Sequence, residues 1–401
     1  MLSYLIVRLI TLPFAYLPYK AIHFLGRPLG LLAYYLIPKY RKRALSNLAL
    51  SDLNLTSTQL KQTAKASLQS LMITCLEYPK LAREKNISNI VTCENPQEAD
   101  AIMAKGKGLI FFCGHQANWE LLFLEGTSRM PGVAIGRPIK NKYLYNWVLA
   151  MRQKFGGTII TPKNALKEGL RALKKGSFLG IVGDQGMPDS GYHCPFLGRE
   201  AWSSPAPAML SYKTNTPLIV ATTTRKNGKY TIHYEKALIP NPGAPIKQEV
   251  DRLMRSALSL YENSIRKNPH EWLWIHNRWK QQTVGSLKRR YRQDSIALFL
   301  PDDETLLPDL PLLRTLYPTE HITLFVPERL QHKIDLSAEI RPYKQKKELL
   351  IDDYRFKLLF DLTCSSKIGL HYKKRSAQVI AYPKNLKALE KLVRNAPKPL
   401  L

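Results

Sequence analysis

The sequence predicts an α/β protein in three parts: an N-terminal membrane-anchoring helical segment, a sheet with flanking helices, and a smaller C-terminal α/β module. Three observations carry this. Residues 1–38 are apolar and aromatic, yet broken by Arg8, Lys20 and Arg27. From about residue 99, short apolar runs alternate with stretches of helical periodicity, the pattern of a sheet with helices packed on its faces. Beyond residue 285 the alternation starts again, after the basic stretch GSLKRRYRQ at 285–293.

The N-terminal stretch falls short of a clean membrane span. Its longest uncharged run, Leu9 to Tyr19, has eleven residues, against about 20 for a spanning helix. No basic n-region leads into a compact apolar core with a small-residue cleavage site, so it does not read as a removable signal. It reads as one imperfect span or a pair of interfacial helices whose Arg and Lys snorkel to headgroups. KYRKR, Lys39 to Arg43, follows directly, the type of cationic cluster that collects on the cytoplasmic side.

Residues 44–84 are expected to be helical, with Ser57 as N-cap and apolar residues at helical spacing behind it. LIFFC (109–113) is a buried strand, and NWELLFLEG opens a helix. VAIG (133–136) is a second strand, followed by the helix NKYLYNWVLAMRQKFG, which Gly156 and Gly157 close. TII (158–160) is a third strand, and ALKEGLRALKKG a helix stopped by Gly176. FLGIVGD (178–184) is a fourth strand. TPLIVATTTR and KYTIHYEKAL are later strands, before a final helix in QEVDRLMRSALSLYENSIRKNP. In the C-terminal part, SIALFLP (295–301), HITLFVP (321–327), LLFDLTC (358–364) and AQVIAYP (377–383) read as strands. ETLLPDLPLLRTLYP reads as a helix between the first two.

Charge and cysteine usage narrow the function classes. The 401 residues hold 60 Lys+Arg against 31 Asp+Glu, a formal net charge of +29. Such an excess favours anionic partners: nucleic acid, anionic lipid or an acidic carrier protein. Nucleic-acid binding gives no reason for an apolar N-terminus, so no nucleic acid partner is expected. A hydrophobic content of 45% with 20 tyrosines excludes a disordered polyelectrolyte. The five cysteines lie far apart with no CxxC pair, which argues against a disulfide framework or structural zinc site and fits a reducing compartment. His193 and Cys194 share an expected loop, but no third ligand is spaced to complete a metal site.

The chemistry concentrates in FFCGHQANWE, residues 111–120, where a strand runs into Gly114 and His115, with Glu120 five residues on. Positions five apart on one helix sit about 140° around the axis, and on one strand they face opposite sides. A His–Glu contact therefore requires His115 on the strand-to-helix turn and Glu120 in the first helical turn. A carboxylate on one imidazole nitrogen leaves the other free to take a proton from a hydroxyl. Cys113 falls on the same side as His115 by strand alternation, but reads as a small core residue.

Five blocks extend this motif in order: YRKRALSNL (40–48), GHQANWE (114–120), GRPIKNKYLYNWVLAMRQKFGGTII (136–160), GIVGDQ (180–185) with PFLGREAWSSPAPAMLS (195–211), and HEWLWIHNRWK (270–280). Together they resemble the lysophospholipid acyltransferase superfamily with its HxxxxE/D signature. More narrowly they resemble the late acyltransferases of lipid A biosynthesis, the lauroyl and myristoyl transferases. The resemblance covers roughly residues 1–283. It implies an anchor and basic juxtamembrane segment at 1–43 and an acyltransferase domain at 44–284, on the cytoplasmic face of a bacterial inner membrane.

Residue by residue, the resemblance implies His115 as general base with Glu120 as its orienting carboxylate. Arg152 would face the developing oxyanion or hold a substrate phosphate, and Asp184 would position Arg152 or the acceptor. Asn118, Trp119, Arg137 and Gln185 are implied in substrate binding, Arg137 on a phosphate. The implied reaction moves an acyl chain from an acyl carrier protein thioester to a hydroxyl of a phosphorylated glucosamine lipid. A glycerophospholipid or a phosphatidylinositol mannoside is the alternative acceptor within the superfamily. The implied partners are thus acyl carrier protein, an anionic glycolipid and the membrane, with neither metal nor cofactor expected. Trp272, Trp274 and Trp279, interleaved with Arg278 and Lys280, lean towards membrane contact.

Residues 294–401 extend beyond the point at which the late acyltransferases end. SIALFLPDDETLLPDLPLLRTLYPTEHITLFVPE is similar to the first βαβ of heptosyltransferase-type glycosyltransferases, and FKLLFDLTCSSKIGLHYKKRSAQVIAY resembles a later strand–helix–strand of the same half. A sugar transferase of that kind needs two halves. The expected reading is a non-catalytic Rossmann-like module, with docking, lipid-core recognition and dimerisation open as roles.

Overall fold

The structure, a computed structural model, describes residues 1–281 and 287–395. It opens with four helices, α1 (Leu2–Thr11), α2 (Tyr19–Leu36), α3 (Pro38–Leu50) and α4 (Ser57–Leu81). Strands and helices then alternate: β1 (Val91–Cys93), α5 (Gln97–Ala104), β2 (Leu109–Cys113), α6 (Glu120–Arg129), β3 (Gly132–Ile135), α7 (Lys142–Arg152), β4 (Thr158–Ile160), α8 (Ala165–Lys174) and β5 (Phe178–Val182). A hairpin of β6 (Tyr192–Phe196) and β7 (Arg199–Ser203) precedes α9 (Ala206–Thr214), β8 (Leu218–Lys226), β9 (Lys229–Tyr234) and α10 (Ile246–Lys267). The C-terminal part runs β10 (Ser295–Phe299), α11 (Pro311–Leu316), β11 (His321–Pro327), β12 (Glu339–Tyr343), β13 (Leu358–Asp361), α12 (Ser366–Lys373), β14 (Val379–Ala381) and α13 (Leu386–Val393).

The alternation expected from the sequence builds a seven-stranded sheet in the order β1-β9-β8-β2-β5-β3-β4. Its pairs are parallel except β8 with β9. All five residues of β2 are buried, which is why LIFFC is continuously apolar: a parallel strand covered on both faces has no solvent side to make polar. A separate sheet orders its strands β12-β11-β10-β13-β14, all parallel. Its first strand in the chain lies at the centre, the arrangement of one half of a doubly wound fold.

Several local expectations are corrected. The N-cap of α4 is Thr56, not Ser57: its hydroxyl accepts from the Gln59 N–H while the Gln59 side chain reaches back, a capping box. The helix expected over ETLLPDLPLLRTLYP is a 3₁₀ stretch, Glu304–Asp309, and the short α11, because Pro308 and Pro311 supply no N–H to a continuous helix. Of the basic stretch 285–293, residues 285 and 286 lie outside the described residues, as do 282–284 and 396–401 at the expected domain ends. His193 and Cys194 sit on β6 rather than in a loop.

No helix of the described residues is long and apolar enough to cross a membrane, so the single-span reading of the N-terminus is not supported. Lys20 and Arg27 fall inside α2 and Arg8 inside α1, which breaks every apolar run. The two helices do leave large apolar side chains in solvent: Leu9 and Phe24 are each 74% exposed.

The C-terminal sheet docks on α3 and on the segment after α10. Lys357, fully buried, pairs with Asp294 at 2.7 Å and donates to Asn47 Oδ1 at 2.8 Å and Asn277 Oδ1 at 3.0 Å. The Ser46 hydroxyl donates to the Arg355 carbonyl at 2.6 Å, and Lys42 Nζ to the Ala377 carbonyl at 2.7 Å. A buried ammonium whose partners come from both parts fixes how they meet.

Candidate active site

The register of β2 and β5 sets Cys113 beside Val182. His115 and Asp184 each lie two residues further on, so the sheet itself brings them together beyond its carboxyl edge, where open α/β sheets hold ligands. His115 Nδ1 lies 2.8 Å from Asp184 Oδ1, and the His115 backbone N–H donates to Oδ2 at 3.0 Å. The indole N–H of Trp272 donates to the same Oδ2 at 2.9 Å. Asp184 is completely buried. Burial alone would raise its pKa, but the facing imidazole and these hydrogen bonds outweigh it and hold the value at about 2. An ionised Asp184 places the imidazole proton on Nδ1 and leaves the Nε2 lone pair free to act as a base.

Glu120 does not join this pair: among the described residues it makes no ion pair with His115. The turn leaves the sheet edge with Ala117 in the left-handed region, φ 47°, and delivers Glu120 to α4 and α7 instead. Arg152 Nε donates to Oε2 at 2.7 Å and Arg152 Nη2 to Oε1 at 2.5 Å, while the Tyr78 hydroxyl donates to Oε1 at 2.7 Å. Burial opposes the charge on Arg152, but Glu120 and Tyr78 more than compensate and hold the guanidinium above its ordinary pKa. The result is a fixed cation, pinned by a bidentate fork.

The turn that carries His115 is stitched to the chain around it. Ala117 N–H donates to the Glu271 carbonyl at 2.8 Å and Leu273 N–H to the His115 carbonyl at 3.0 Å. Asn118 Nδ2 donates to Glu77 Oε2 at 2.8 Å, and Glu77 also binds Tyr230 and, at 2.6 Å, His23 of α2. Gly114 abuts Tyr261: a Cβ there would lie 2.2 Å from the ring, so only glycine fits.

Glu271 makes the turn's support pH-dependent. Its Oε1 accepts from the Arg225 N–H at 2.9 Å, while Oε2 is buried with no hydrogen-bond partner among the described residues. Burial, against the pull of Arg225, moves its pKa from the ordinary 4.5 up to about 7. A carboxyl raised on folding stabilises the protein below its unfolded value, and that contribution fades as pH rises through the folded one. Thermal stability is therefore expected to fall as pH rises from about 4.5 to 7. Glu271→Gln, neutral and of the same shape, is expected to flatten this slope and gain about 1–3 kcal/mol at pH 8, as scanning calorimetry at pH 5 and 8 would read.

His115 opens onto a cleft of about 490 Å³. Its polar lining includes Trp119, Glu120, Arg137, Arg152 and Gln185, and its apolar lining Phe111, Phe123, Ile159 and Phe178. A base held by a buried carboxylate, beside a fixed cation and an apolar recess, suits transfer of an acyl chain to a hydroxyl. Residues 1–281 match the family model described as bacterial lipid A biosynthesis acyltransferase. The chain belongs to that family. It is similar to the lipid A biosynthesis lauroyltransferase of Escherichia coli (strain K12), 22% identical over 278 residues that cover 67% of this chain and 88% of that protein. The family match ends at residue 281 and does not reach the C-terminal module, whose glycosyltransferase resemblance it leaves unconfirmed.

In this lipid A biosynthesis acyltransferase the structure gathers His115, Asp184, Trp119 and Gln185 into one cluster. The Trp119 ring meets the imidazole edge to face at 4.9 Å, and the Gln185 amide lies 3.1 Å from Nδ1. Arg137 and the Glu120–Arg152 pair line the same cleft. Besides Glu120 as the partner of His115, two further expectations are overturned. The first is Asn118 as a substrate-binding residue: it is completely buried with its amide on Glu77, so it braces the turn from below. The second is membrane contact for the tryptophans. Trp272, Trp274 and Trp279 are at most 1% exposed, and each indole N–H is taken internally, by Asp184, the Pro269 carbonyl and the Phe196 carbonyl. Cys113 is buried, which pushes its thiol pKa up and leaves it a poor nucleophile.

Sequence reasoning missed Trp272 as a donor to Asp184, and Tyr78 and Glu77 beneath the turn. Glu77 had a readable signal: it falls on the buried face of α4 with Ile73 and Leu81, and a carboxylate there demands partners.

Proposed function

We propose that the protein transfers a fatty acyl chain from acyl carrier protein to a hydroxyl of a lipid A precursor, with His115 as general base. The observation that carries this reading is the His115–Asp184 pair at the end of β2, open to an apolar cleft. His115 Nε2 takes the proton of the acceptor hydroxyl as its oxygen attacks the thioester carbonyl. The tetrahedral intermediate then expels the carrier's thiolate, which recovers the proton from the imidazolium. Asp184 steadies the imidazolium between these steps. Arg152, fixed by Glu120, offers its charge to the developing oxyanion or to a substrate phosphate, and Arg137 to a second phosphate. Glu120 thus acts through Arg152, as a positioning residue.

The apolar part of the cleft takes the acyl chain in this reading. Gly180 lines it in the middle of β5, and a Cβ there would meet Ala134 Cβ at 3.5 Å, ordinary contact. A valine at this position fits the backbone but fills the cleft. Gly180→Val is expected to shift kcat/KM towards shorter donors by roughly tenfold, read with acyl carrier proteins bearing saturated chains of increasing length.

α1 and α2 would lie in the membrane interface with Leu9, Phe24 and their neighbours among the acyl chains, on the cytoplasmic face of the inner membrane. The net charge of +29 would attract both an acidic carrier and an anionic glycolipid. An acceptor panel in detergent tests the assignment, with labelled acyl carrier protein as donor and either a Kdo-bearing tetra-acylated lipid A precursor or a lysophospholipid as acceptor. Transfer to the first supports it. A good rate with the lysophospholipid and none with the precursor moves the assignment to a glycerophospholipid acceptor.

A further inference from the structure

A second cavity, of about 860 Å³, lies at the seam between the acyltransferase part and the C-terminal module. Both sides contribute cations: Lys39 and Arg43 from α3, Lys280 from the end of the Trp-rich segment, and Arg289, Arg290 and Arg292 from the turn that leads into β10. Against these six, the described lining includes one carboxylate, Asp189. Cations on an ordinary surface point apart into water. Here they converge on one space, which costs repulsion unless negative charge sits between them.

Arg292 is engaged within its own turn, Nε donating to the Leu287 carbonyl at 2.8 Å, whereas Arg43 and Lys280 are less well matched. Arg43 Nη1 reaches the Ile275 carbonyl at 3.3 Å, but its Nε is buried with no hydrogen-bond partner among the described residues, as is the amide nitrogen of Gln378 in the same lining. Lys280 Nζ donates to the sulfur of Met187, a weak acceptor. Arg290 lies over the ring of Tyr291. Burial, and for Lys280 the charge of Arg137, pushes the pKa of both Arg43 and Lys280 down, and the carboxylates that act on them, Asp294 on Arg43 and Asp189 on Lys280, do not make up the difference.

We propose that this cavity binds a phosphate-bearing ligand. A ligand with more than one negative charge matches a lining of six cations against one carboxylate, and guanidinium forks suit phosphate geometry. The site uses neither His115 nor Asp184, and Arg289, Arg290 and Arg292 lie beyond the family match at 1–281, so it stands independently of the acyl-transfer reading. The loop after β5 links the two: Gln185 lines the catalytic cleft, and Met187 and Asp189 line this cavity. The phosphate has two sources, the head group of a membrane glycolipid or a soluble phosphate compound.

Isothermal titration of the full chain with inorganic pyrophosphate tests the site, comparing wild type with Arg289→Glu/Arg290→Glu. Both side chains are exposed, so the fold is expected to tolerate the change. Lys105→Glu/Lys107→Glu, on an exposed turn before β2, changes net charge equally, and Lys280→Ala is a milder second probe of the cavity. The expected result is one saturable site, weakened about tenfold or more by Arg289→Glu/Arg290→Glu and measurably by Lys280→Ala, and unaffected in the control. An acceptor KM that rises in the same variants at constant kcat assigns the phosphate to the glycolipid head group; an unchanged KM assigns it to a soluble compound. No saturable binding to wild type, equal affinity in the Arg variant, or equal loss in the control overturns the proposal.

Discussion

Acyl transfer by the His115→Ala variant is expected to fall in kcat by ~10²–10⁴-fold, the range for loss of a positioned general base. Donor and acceptor KM should change little, because the acyl-lining residues and the cations of the cleft stay in place. The fold should also persist: the side chain of His115 is 23% exposed, and Asp184 keeps the residue-115 backbone N–H and the Trp272 indole as donors. Steady-state transfer with a melting curve on the same preparation separates lost catalysis from lost structure. A variant that melts like wild type and transfers acyl chains as fast would remove His115 from the mechanism.

Asp184→Asn is expected to cost activity and stability together. Three N–H groups converge on the Asp184 carboxylate, and an amide offers one oxygen where the carboxylate offers two. Its NH₂ would face a donor in a fully buried site, an arrangement worth about 2–4 kcal/mol of lost stability. Without the carboxylate, the Nδ1–H tautomer is no longer favoured and kcat is expected to drop ~10²–10⁴-fold. The pH dependence follows from the depressed pKa of Asp184, about 2 against an ordinary 3.8. A carboxylate lowered on folding stabilises above its unfolded value, and the contribution is lost as pH falls through the folded one. The stability gap between wild type and Asp184→Asn should therefore be full at neutral pH and narrow from about pH 4 down towards 2. Urea titrations at neutral and acid pH measure it; a constant gap would mean that the ionised carboxylate is not what the site stabilises.

Much of the fold was legible because buried parallel strands announce themselves as short continuous apolar runs. LIFFC, TII and HITLFVP have the bounds expected of them. The β6–β7 hairpin was not legible, since its turn places Leu197 at φ 48° before Gly198 at φ 76°, and leucine is a poor signal for a left-handed position. Proline decided against the helix at 304–318 although its apolar spacing favoured one. At the site, His115 and the residues around it could be found in the chain, but not which carboxylate it meets. Glu120 is near in sequence and Asp184 is 69 residues away; only the pairing of β2 with β5 makes the distant one the neighbour. The tryptophans misled for a related reason. Composition shows indoles among basic residues, and cannot show that each N–H has an internal acceptor.

The most direct test of the account is single-turnover transfer of a labelled acyl chain from acyl carrier protein to a phosphorylated lipid A precursor, run side by side for wild type, His115→Ala, Asp184→Asn and Glu120→Gln. The account predicts transfer by wild type, collapse in the first two variants, and a smaller loss in Glu120→Gln, which loosens Arg152 but leaves the base intact. Transfer that survives both His115→Ala and Asp184→Asn, or that collapses only in Glu120→Gln, would contradict it.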